Sequence, residues 1–542
     1  MIKNVAASSL CGLTLILSGC QLTSTNDAEP AVANHATGPQ SLPLQQGLQA
    51  FALTSPIAKQ APVATDTVTA QAVVSPQQQA LLWQRIRMQM KLAIPDNKRI
   101  DVQRQWYLRN PHYMERVAKR AAPFLYMIVE QVEARDMPLE LALLPIVESA
   151  FDPFAYSHGR ASGIWQFIPG TAQHFGLGID WWYDGRRDVY AATEAALDYL
   201  SYLHKYFDGN WMQALAAYNS GEGRVANAIR KNKRAHKPTD FWSLDLPRET
   251  RAYVPKLLAL ADILKNNDAY GFDWYPIDNV PQLERIELDS QIDLAKAAEL
   301  ADMPLADLQM LNAGYNRWAT APDGPHRLLI PLQKAASFEE KLAALDKQEW
   351  LQWTRHEVKS GENLLLIAKR YHTTPDVIQQ ANNINGSIIR AGDHLLIPVA
   401  ATELDDYVLS AGQRLAASQS RQHGSQRIDY VVNRGDTLWD ISREYKVNLR
   451  SLAKWNGMAP TDPLRPGQKL AIWLTSKQAK NSDGVIRKVT YQVRNGDSLA
   501  RIANRFNVTI KQIEHWNQIN RRNYLQPGQR LQLFVDVTRV NI

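Results

Sequence analysis

Apolar positions along this 542-residue chain follow two different rhythms. Between about residues 76 and 275 they recur at helical spacing. Leu81, Leu82, Trp83, Ile86, Met90 and Leu92 make one packing stripe, and helix formers are dense from Tyr113 to Phe151. Asp136-Met137-Pro138 breaks that stretch and predicts a fresh helix beyond it. More helices are predicted over 191–206 and 211–218 and from Glu249 onward, with a Gly- and Ser-bearing loop over 157–163 between them. Past Pro276 the texture changes and the sequence repeats itself. His356-Glu-Val-Lys-Ser-Gly361-Glu-Asn-Leu364, Tyr430-Val-Val-Asn-Arg-Gly435-Asp-Thr-Leu438 and Tyr491-Gln-Val-Arg-Asn-Gly496-Asp-Ser-Leu499 align, and each leads into two helical segments and a short apolar strand. Strand, helix, helix, strand is a small βααβ module. The pattern predicts a multidomain α+β chain, mainly α at first and modular afterwards.

One residue interrupts the apolar pattern of the helical region. In Leu141-Ala-Leu-Leu-Pro-Ile-Val-Glu-Ser-Ala-Phe151, Glu148 is a lone carboxylate among Leu143, Leu144, Ile146, Val147 and Phe151. A carboxyl held there is poorly solvated, so its charged form is disfavoured and it keeps its proton towards neutral pH. That is the property of a general acid. Pro145 is expected to bend the helix and help aim the side chain. The competing reading is a structural Glu at a helix end that reaches solvent or pairs with an Arg.

Charge and composition narrow the classes. The net charge of +7 is mild for this length, and 45% hydrophobic residues is ordinary for globular material. A basic balance suits nucleic acid, an anionic membrane or an acidic polymer, and no dense Lys/Arg cluster favours nucleic acid. The first residues, Met1-Ile2-Lys3 followed by Leu10, Leu13, Leu15, Ile16 and Leu17, read as an export leader over 1–19. Leu17-Ser18-Gly19-Cys20 resembles the lipobox of bacterial lipoproteins, which implies an acylated Cys20 as the first mature residue. Gln21 in place of Asp then implies an outer-membrane lipoprotein facing the periplasm. An ordinary leader that happens to hold a cysteine is the alternative. The other cysteine, Cys11, lies inside the leader, so no disulfide, redox centre or thiolate metal site is expected. Residues 20–75, rich in Ala, Gln, Thr, Ser, Pro and Val, read as a disordered tether spanning roughly 40 Å root-mean-square. No later run is apolar enough to span a bilayer, so membrane attachment rests on the lipid.

Four signatures follow one another in the helical region: Glu148-Ser149, Gly163-Ile-Trp-Gln166, Ala217-Tyr218-Asn219 and Glu249-Thr-Arg-Ala-Tyr253-Val254. In this order they resemble the lytic transglycosylases of family 1, over about residues 102–263. The resemblance implies a goose-lysozyme-like catalytic domain over 76–275 that cleaves the β-1,4 bond between N-acetylmuramic acid and N-acetylglucosamine in peptidoglycan. It implies Glu148 as the catalytic acid and base, with Ser157, Gln166, Tyr218, Asn219, Glu249 and Tyr253 binding substrate, and no cofactor. Where many relatives carry Met, this chain has Trp165, implying an apolar contact with the sugar groove. Hydrolytic glycosidases use two carboxylates. Here none in the four signatures stands out as a partner for Glu148, and Asp152 reads as a loop-facing helix cap. The resemblance resolves this through the substrate, whose C6 hydroxyl closes a 1,6-anhydromuramoyl ring.

The repeats, with their Gly-Asp-Thr/Ser-Leu turn, resemble the lysin motif, which implies binding of N-acetylglucosamine polymers such as peptidoglycan strands. Three copies are expected, at 354–399, 428–474 and 489–536, and a degenerate copy without the Gly-Asp turn at 286–332, read as a spacer packed on the catalytic domain. The resemblance maps sugar contacts to Gly435, Asp436, Thr437 and Asn456 in the second copy and to Gly496, Asp497, Ser498 and Asn517 in the third. The first copy departs, with Glu362-Asn363. Ala-, Ser- and Gln-rich stretches around Ala416 and Lys477 read as linkers that leave the modules some freedom.

Other chemistries find little support. His158 and His174 lack ligand-like spacing, so no metal is expected. No Gly-rich phosphate loop follows a strand. Gly163 and Gly221 serve tight turns. Two alternatives stay open from sequence: a muramidase-type hydrolase of the same fold, and a catalytically silent wall-binding scaffold. Nothing resembles a self-pairing coiled coil, and oligomeric state is unknown.

Overall fold

The computed structural model describes residues 74–476 and 486–536, apart from 507, 518 and 520–524. The expected leader, acylated Cys20 and nearly all of the tether lie outside the described residues, as does the linker at Lys477. Everything described belongs to one compact unit.

The first half is helical: α1 (Leu82–Met88), α2 (Lys98–Leu108), α3 (Pro111–Ala121), α4 (Leu125–Glu133), α5 (Leu144–Ser149), α6 (Pro169–His174), α7 (Val189–Tyr206), α8 (Trp211–Ser220), α9 (Glu222–Arg234), α10 (Arg248–Lys265) and the short α11 (Asn267–Tyr270). Helix α10 is the axis. Tyr253, Val254, Leu257, Leu258, Leu260, Ala261 and Ile263 are all buried, so the helix is apolar on nearly every side and is packed by α2, α5 and α8. Arg85 of α1 is 2% exposed and is satisfied by Glu130 and Glu133 of α4, a buried charge neutralised by two carboxylates.

Four βααβ modules follow, each a two-stranded antiparallel sheet with two helices. The degenerate copy comprises β1 (Leu283–Glu287), α12 (Leu294–Leu300), α13 (Leu305–Leu311) and β2 (Arg327–Pro331), then α14 (Leu332–Ala344). It sits against the helical domain. The Tyr183 and Tyr315 rings lie 5.5 Å apart, Arg327 pairs with Asp188 at 2.9 Å, and the Asn316 amide donates to Trp182 O at 2.7 Å. The first full copy is β3 (Gln352–Glu357), α15 (Leu364–Arg370), α16 (Pro375–Ala381) and β4 (His394–Val399). Helix α17 (Ala411–Ser420) precedes the second copy, β5 (Gln426–Val431), α18 (Leu438–Glu444), α19 (Leu449–Trp455) and β6 (Lys469–Leu474). The third is β7 (Ile486–Gln492), α20 (Leu499–Arg505), α21 (Ile510–Asn517) and β8 (Arg530–Asp536).

Sequence places Ala416 in a free linker, and here the structure differs: α17 is docked. Ser410 caps it by accepting from the Gln413 amide. Ser418 donates to Lys454 O at 3.2 Å and Gln419 to Lys469 O at 3.0 Å, which ties α17 to the second module. On its other side the Arg414 guanidinium lies 4.5 Å from the centre of the Phe154 ring in the helical domain.

Small modules hold few buried side chains, so polar clamps matter. One Asn recurs at the end of the second helix: Asn312, Asn382, Asn456 and Asn517 each donate to a carbonyl in that helix and to a carbonyl of the last strand, and accept an amide from the same strand. The degenerate copy keeps this clamp. The turn after the first strand has a second device. Asp436 Oδ2 accepts from Tyr430 Oη and the Asn433 amide, both at 2.7 Å, and Asp497 repeats this with Tyr491 and Arg494. In the first copy Glu362 takes the place, reaching His356 at 2.8 Å and the Lys359 amide at 2.9 Å. The longer acid meets a shorter ring, so the departure is compensated within the fold.

Among the described residues no helix is long and apolar enough to cross a membrane.

Candidate active site

Helix α5 carries Glu148 to the edge of a cleft. Pro145 lies in its first turn, where the missing N–H has no helical partner in any case, so Pro145 starts the helix and does not bend it. Immediately after Ser149, Ala150 and Phe151 adopt left-handed backbone at φ 54° and 55° and end the helix. Two successive non-glycine residues there are strained, by on the order of 1–2 kcal/mol each. Packing holds them: Phe151 is fully buried, and the buried Ser149 donates to Ile164 O at 2.9 Å. The Glu-Ser pair thus binds the end of α5 to the strand-like segment carrying Gln166.

That segment turns at Gly163, whose φ is +80° and where a Cβ would stand 1.7 Å from Arg186 O, so only glycine fits. Gln166 has φ 51° and donates to Gly163 O at 2.9 Å. Trp165 is fully buried and its indole donates to Thr193 Oγ1 at 2.9 Å. The expected groove contact is therefore absent: the indole fills the core behind the cleft, and Phe167 lines the cleft instead. Asp152 caps no helix. It is buried and accepts from the Phe154 amide within its own loop at 2.9 Å.

The cleft encloses about 810 Å³ and brings together Glu148, Ser157, Gln166, Tyr218, Asn219, Glu249 and Tyr253. Glu148 keeps a window on this space while its surroundings are almost wholly protein. Burial pushes its carboxyl up to about 7, with the Glu249 charge acting in the same direction and the Tyr253 hydrogen bond and Lys256 charge opposing. Tyr253 Oη donates to Glu148 Oε1 at 2.5 Å. Tyr218 Oη donates to Trp165 O at 2.9 Å, and burial holds both phenols well above their usual range. Asn219 Oδ1 accepts from Thr250 Oγ1 at 2.8 Å, which orients its amide. Ser157 Oγ accepts from the Gly159 and Ala161 amides and shapes the loop it sits on.

Several lining residues escape a motif reading. Tyr199, Glu222, Arg224, Lys256 and Arg450 are among them, and Arg450 comes from α19, just over three hundred positions from Glu148. Tyr199 is signalled only by its place on the apolar side of α7. Arg224 opens onto an exposed basic stretch of α9, Arg230, Lys231, Lys233 and Arg234, a local cluster that whole-chain charge conceals. Among the described residues no group of three His, Cys, Asp or Glu is arranged to hold a metal.

The residues assigned to sugar in the modules are deeply committed to folding. Asp436, Asn456, Asp497 and Asn517 make the clamps described above, and Thr437 and Ser498 cap their helices by accepting from the Asp440 and Arg501 amides. Gly435 and Gly496 take φ 93° and 84°, which the turn requires.

Residues 126–241 match the family described as Transglycosylase SLT domain, 282–347 the Lytic transglycosylase MltD, LysM-like domain, and 356–398, 430–473 and 491–534 the LysM domain. The chain is 41% identical over 411 residues to the membrane-bound lytic murein transglycosylase D of Escherichia coli K12, a match covering 74% of this chain and 87% of that protein. It is 53% identical over 122 residues to a putative tributyltin chloride resistance protein of an Alteromonas species, covering 22% of this chain and 59% of the other. Among solved structures, the 70 kDa soluble lytic transglycosylase of Escherichia coli is 21% identical over 32% of each chain, with a TM-score of 0.23. Extending through the SLT domain and into the modules behind it, the similarity shows that this chain belongs to the lytic murein transglycosylase D family and is a murein lytic transglycosylase.

Proposed function

We propose that Glu148 carries both proton transfers of the reaction. Protonated, it gives its proton to the glycosidic oxygen as the bond between that oxygen and the muramic C1 breaks. As carboxylate, it takes the proton of the C6 hydroxyl while that oxygen bonds to C1. One bond breaks, one forms, the acid is regenerated, and no water is consumed. Products are a 1,6-anhydromuramoyl end and a free N-acetylglucosamine end. Tyr253 steers the carboxyl, and Tyr218, Asn219, Gln166, Ser157 and Glu249 orient sugar amides and hydroxyls.

The observation that carries this reading is the buried carboxyl raised to about 7, a value suited to a group that must both give and take a proton near neutrality. Glu249 favours a second reading. It is an exposed carboxylate in the same cleft that acts electrostatically on Glu148, and a hydrolase needs such a base to activate water. Mass spectrometry of muropeptides released from purified sacculi separates the two. Anhydromuramoyl ends support the single-carboxylate route, reducing muramic ends transfer the role of base to Glu249, and no products leave a wall-binding scaffold.

Cys20, acylated, is the proposed anchor, holding the enzyme at the outer membrane facing the periplasm, with residues 20–75 as tether and the lysin motifs gripping the glycan at the turns of Gly435 and Gly496. The relative's printed description as membrane-bound supports an anchor. Cys20→Ala is expected to release the protein from membrane fractions, and continued sedimentation with them removes Cys20 from this role.

A further inference from the structure

The second lysin motif touches the catalytic domain beside the cleft. Its α19–β6 loop carries Asp462, whose side chain is 13% exposed. Arg160 Nε donates to Asp462 Oδ1 at 2.8 Å and Tyr156 Oη to Oδ2 at 3.1 Å. Arg160 and Tyr156 flank Ser157 on the loop that lines the cleft. The latch is anchored on both sides. Arg160 O accepts from Arg186 Nη1 at 2.8 Å, and Asp462 Oδ2 also accepts the Ala459 amide of its own loop at 2.8 Å. Helix α17 braces the same junction through Arg414 on Phe154 and Gln419 on the Asn456 clamp, at 2.9 Å.

The docking brings one cation to the cleft. Arg450, at the first turn of α19, lines the cavity that holds Glu148 and makes no ion pair among the described residues. Its backbone amide is fixed by the Asn448 cap at 2.9 Å. A guanidinium on a rigid helix start is suited to a carboxylate. The substrate offers that chemistry: muramic acid carries either a lactyl carboxylate or a peptide stem bearing its own carboxylates.

We infer that the second lysin motif forms part of the cleft itself, with Arg450 binding a carboxylate borne by the glycan strand and Asp462, through Arg160 and Tyr156, as the residue that positions it. This rests on the reading of the cleft as the murein-cleaving site. It differs from wall anchoring, because it makes a sugar-binding repeat a specificity determinant of the reaction.

The test uses the full mature chain and compares kcat and KM on soluble stem-bearing and stem-free strands. Arg450→Ala is expected to raise KM about fivefold while kcat changes less than about twofold, and Arg450→Lys to restore most of the loss. Asp462 also ties its own loop, so the latch is broken from the other side with Arg160→Gln, which leaves the module intact. Arg160→Gln is expected to raise KM in the same way, and the double variant to be no worse than either single one. A rise confined to stem-bearing strands identifies a stem carboxylate, a rise confined to stem-free strands identifies the lactyl carboxylate, which is amidated wherever a stem is attached, and a rise on both shows that Arg450 takes either carboxylate. An unchanged KM for Arg450→Ala on both strands, or effects of the two variants that multiply, overturns the proposal. The ends of the wild-type products, read in the same assay, report on the cleavage chemistry separately, so failure of that reading is distinguishable from failure of this one.

Discussion

Tyr253 Oη and Glu148 Oε1 lie 2.5 Å apart, and the tyrosine ring is only 4% exposed. The phenol opposes what burial does to the acid: a hydrogen bond to the carboxylate favours its charged form, whereas desolvation disfavours it. The pair sets where between acid and base Glu148 stands at neutral pH.

If Glu148 is the proton donor proposed here, turnover should fall as pH rises through about 7, where its carboxyl loses that proton. Removing the donor with Tyr253→Phe leaves burial opposed only by the Lys256 charge, so the alkaline limb should move to higher pH even as the rate drops. Rates of muropeptide release between about pH 5 and 9 check both points. A limb that stays in place in Tyr253→Phe would detach this tyrosine from the acid.

Glu148 also makes stability depend on pH. Its folded value near 7 lies above the ordinary 4.5, so across that interval the folded state holds a proton the unfolded chain has released, and stability falls as pH rises. Glu148→Gln should remove that loss, and on the proposed role of Glu148 it should also abolish cleavage. The variant should match the parent near about pH 4 and exceed it by on the order of 1–3 kcal/mol near about pH 8, measured by thermal melts. Equal melts at both pH values contradict the raised carboxyl.

Asn456 is 2% exposed and makes bonds to Leu452 O, Ala471 O and the Ala471 amide. Asn456→Ala leaves strand groups without partners and should cost about 2–4 kcal/mol in the second module. Sugar affinity should fall with stability. Loss of binding with unchanged hydrogen-exchange protection in β6 would make Asn456 a ligand and not a clamp.

The His356–Glu362 pair substitutes for the Tyr–Asp pair of the other two motifs. Exchanging one partner alone, His356→Tyr or Glu362→Asp, creates a mismatch in reach and should destabilise the first module by about 1–2 kcal/mol, whereas both together should be nearly neutral. A double-mutant cycle of melting measures the coupling, and additivity would dissolve the pairing.

Much of this architecture was legible because local signals agree with the fold. Helical periodicity from Leu81 onward marked the helical domain, and the Gly-Asp-Thr/Ser turns marked the modules. Glu148 stood out because a lone carboxylate in an apolar run is a local anomaly. Trp165 is ambiguous in sequence because a groove contact and a core contact look alike there; its full burial and its bond to the Thr193 hydroxyl distinguish them. Pro145 depended on where its helix begins, a boundary that periodicity fixes poorly. Ala416 misled for a related reason: Ala, Ser and Gln suit a helix as well as a linker, and Arg414 finds Phe154 only after folding. Arg450 could not be found, since nothing in the chain order announces that α19 reaches the cleft.

Helix α17 has a thermodynamic consequence. Ten flexible residues would let the second module wander over roughly 17 Å, and each capture of glycan would have to immobilise it. As a ten-residue helix, α17 extends about 15 Å along a single line, clamped at Arg414 and again at Gln419. The ordering is completed when the chain folds, before any sugar arrives, so little of the binding free energy of this module is lost to immobilisation. The repeat thereby stands as a preorganised surface in place.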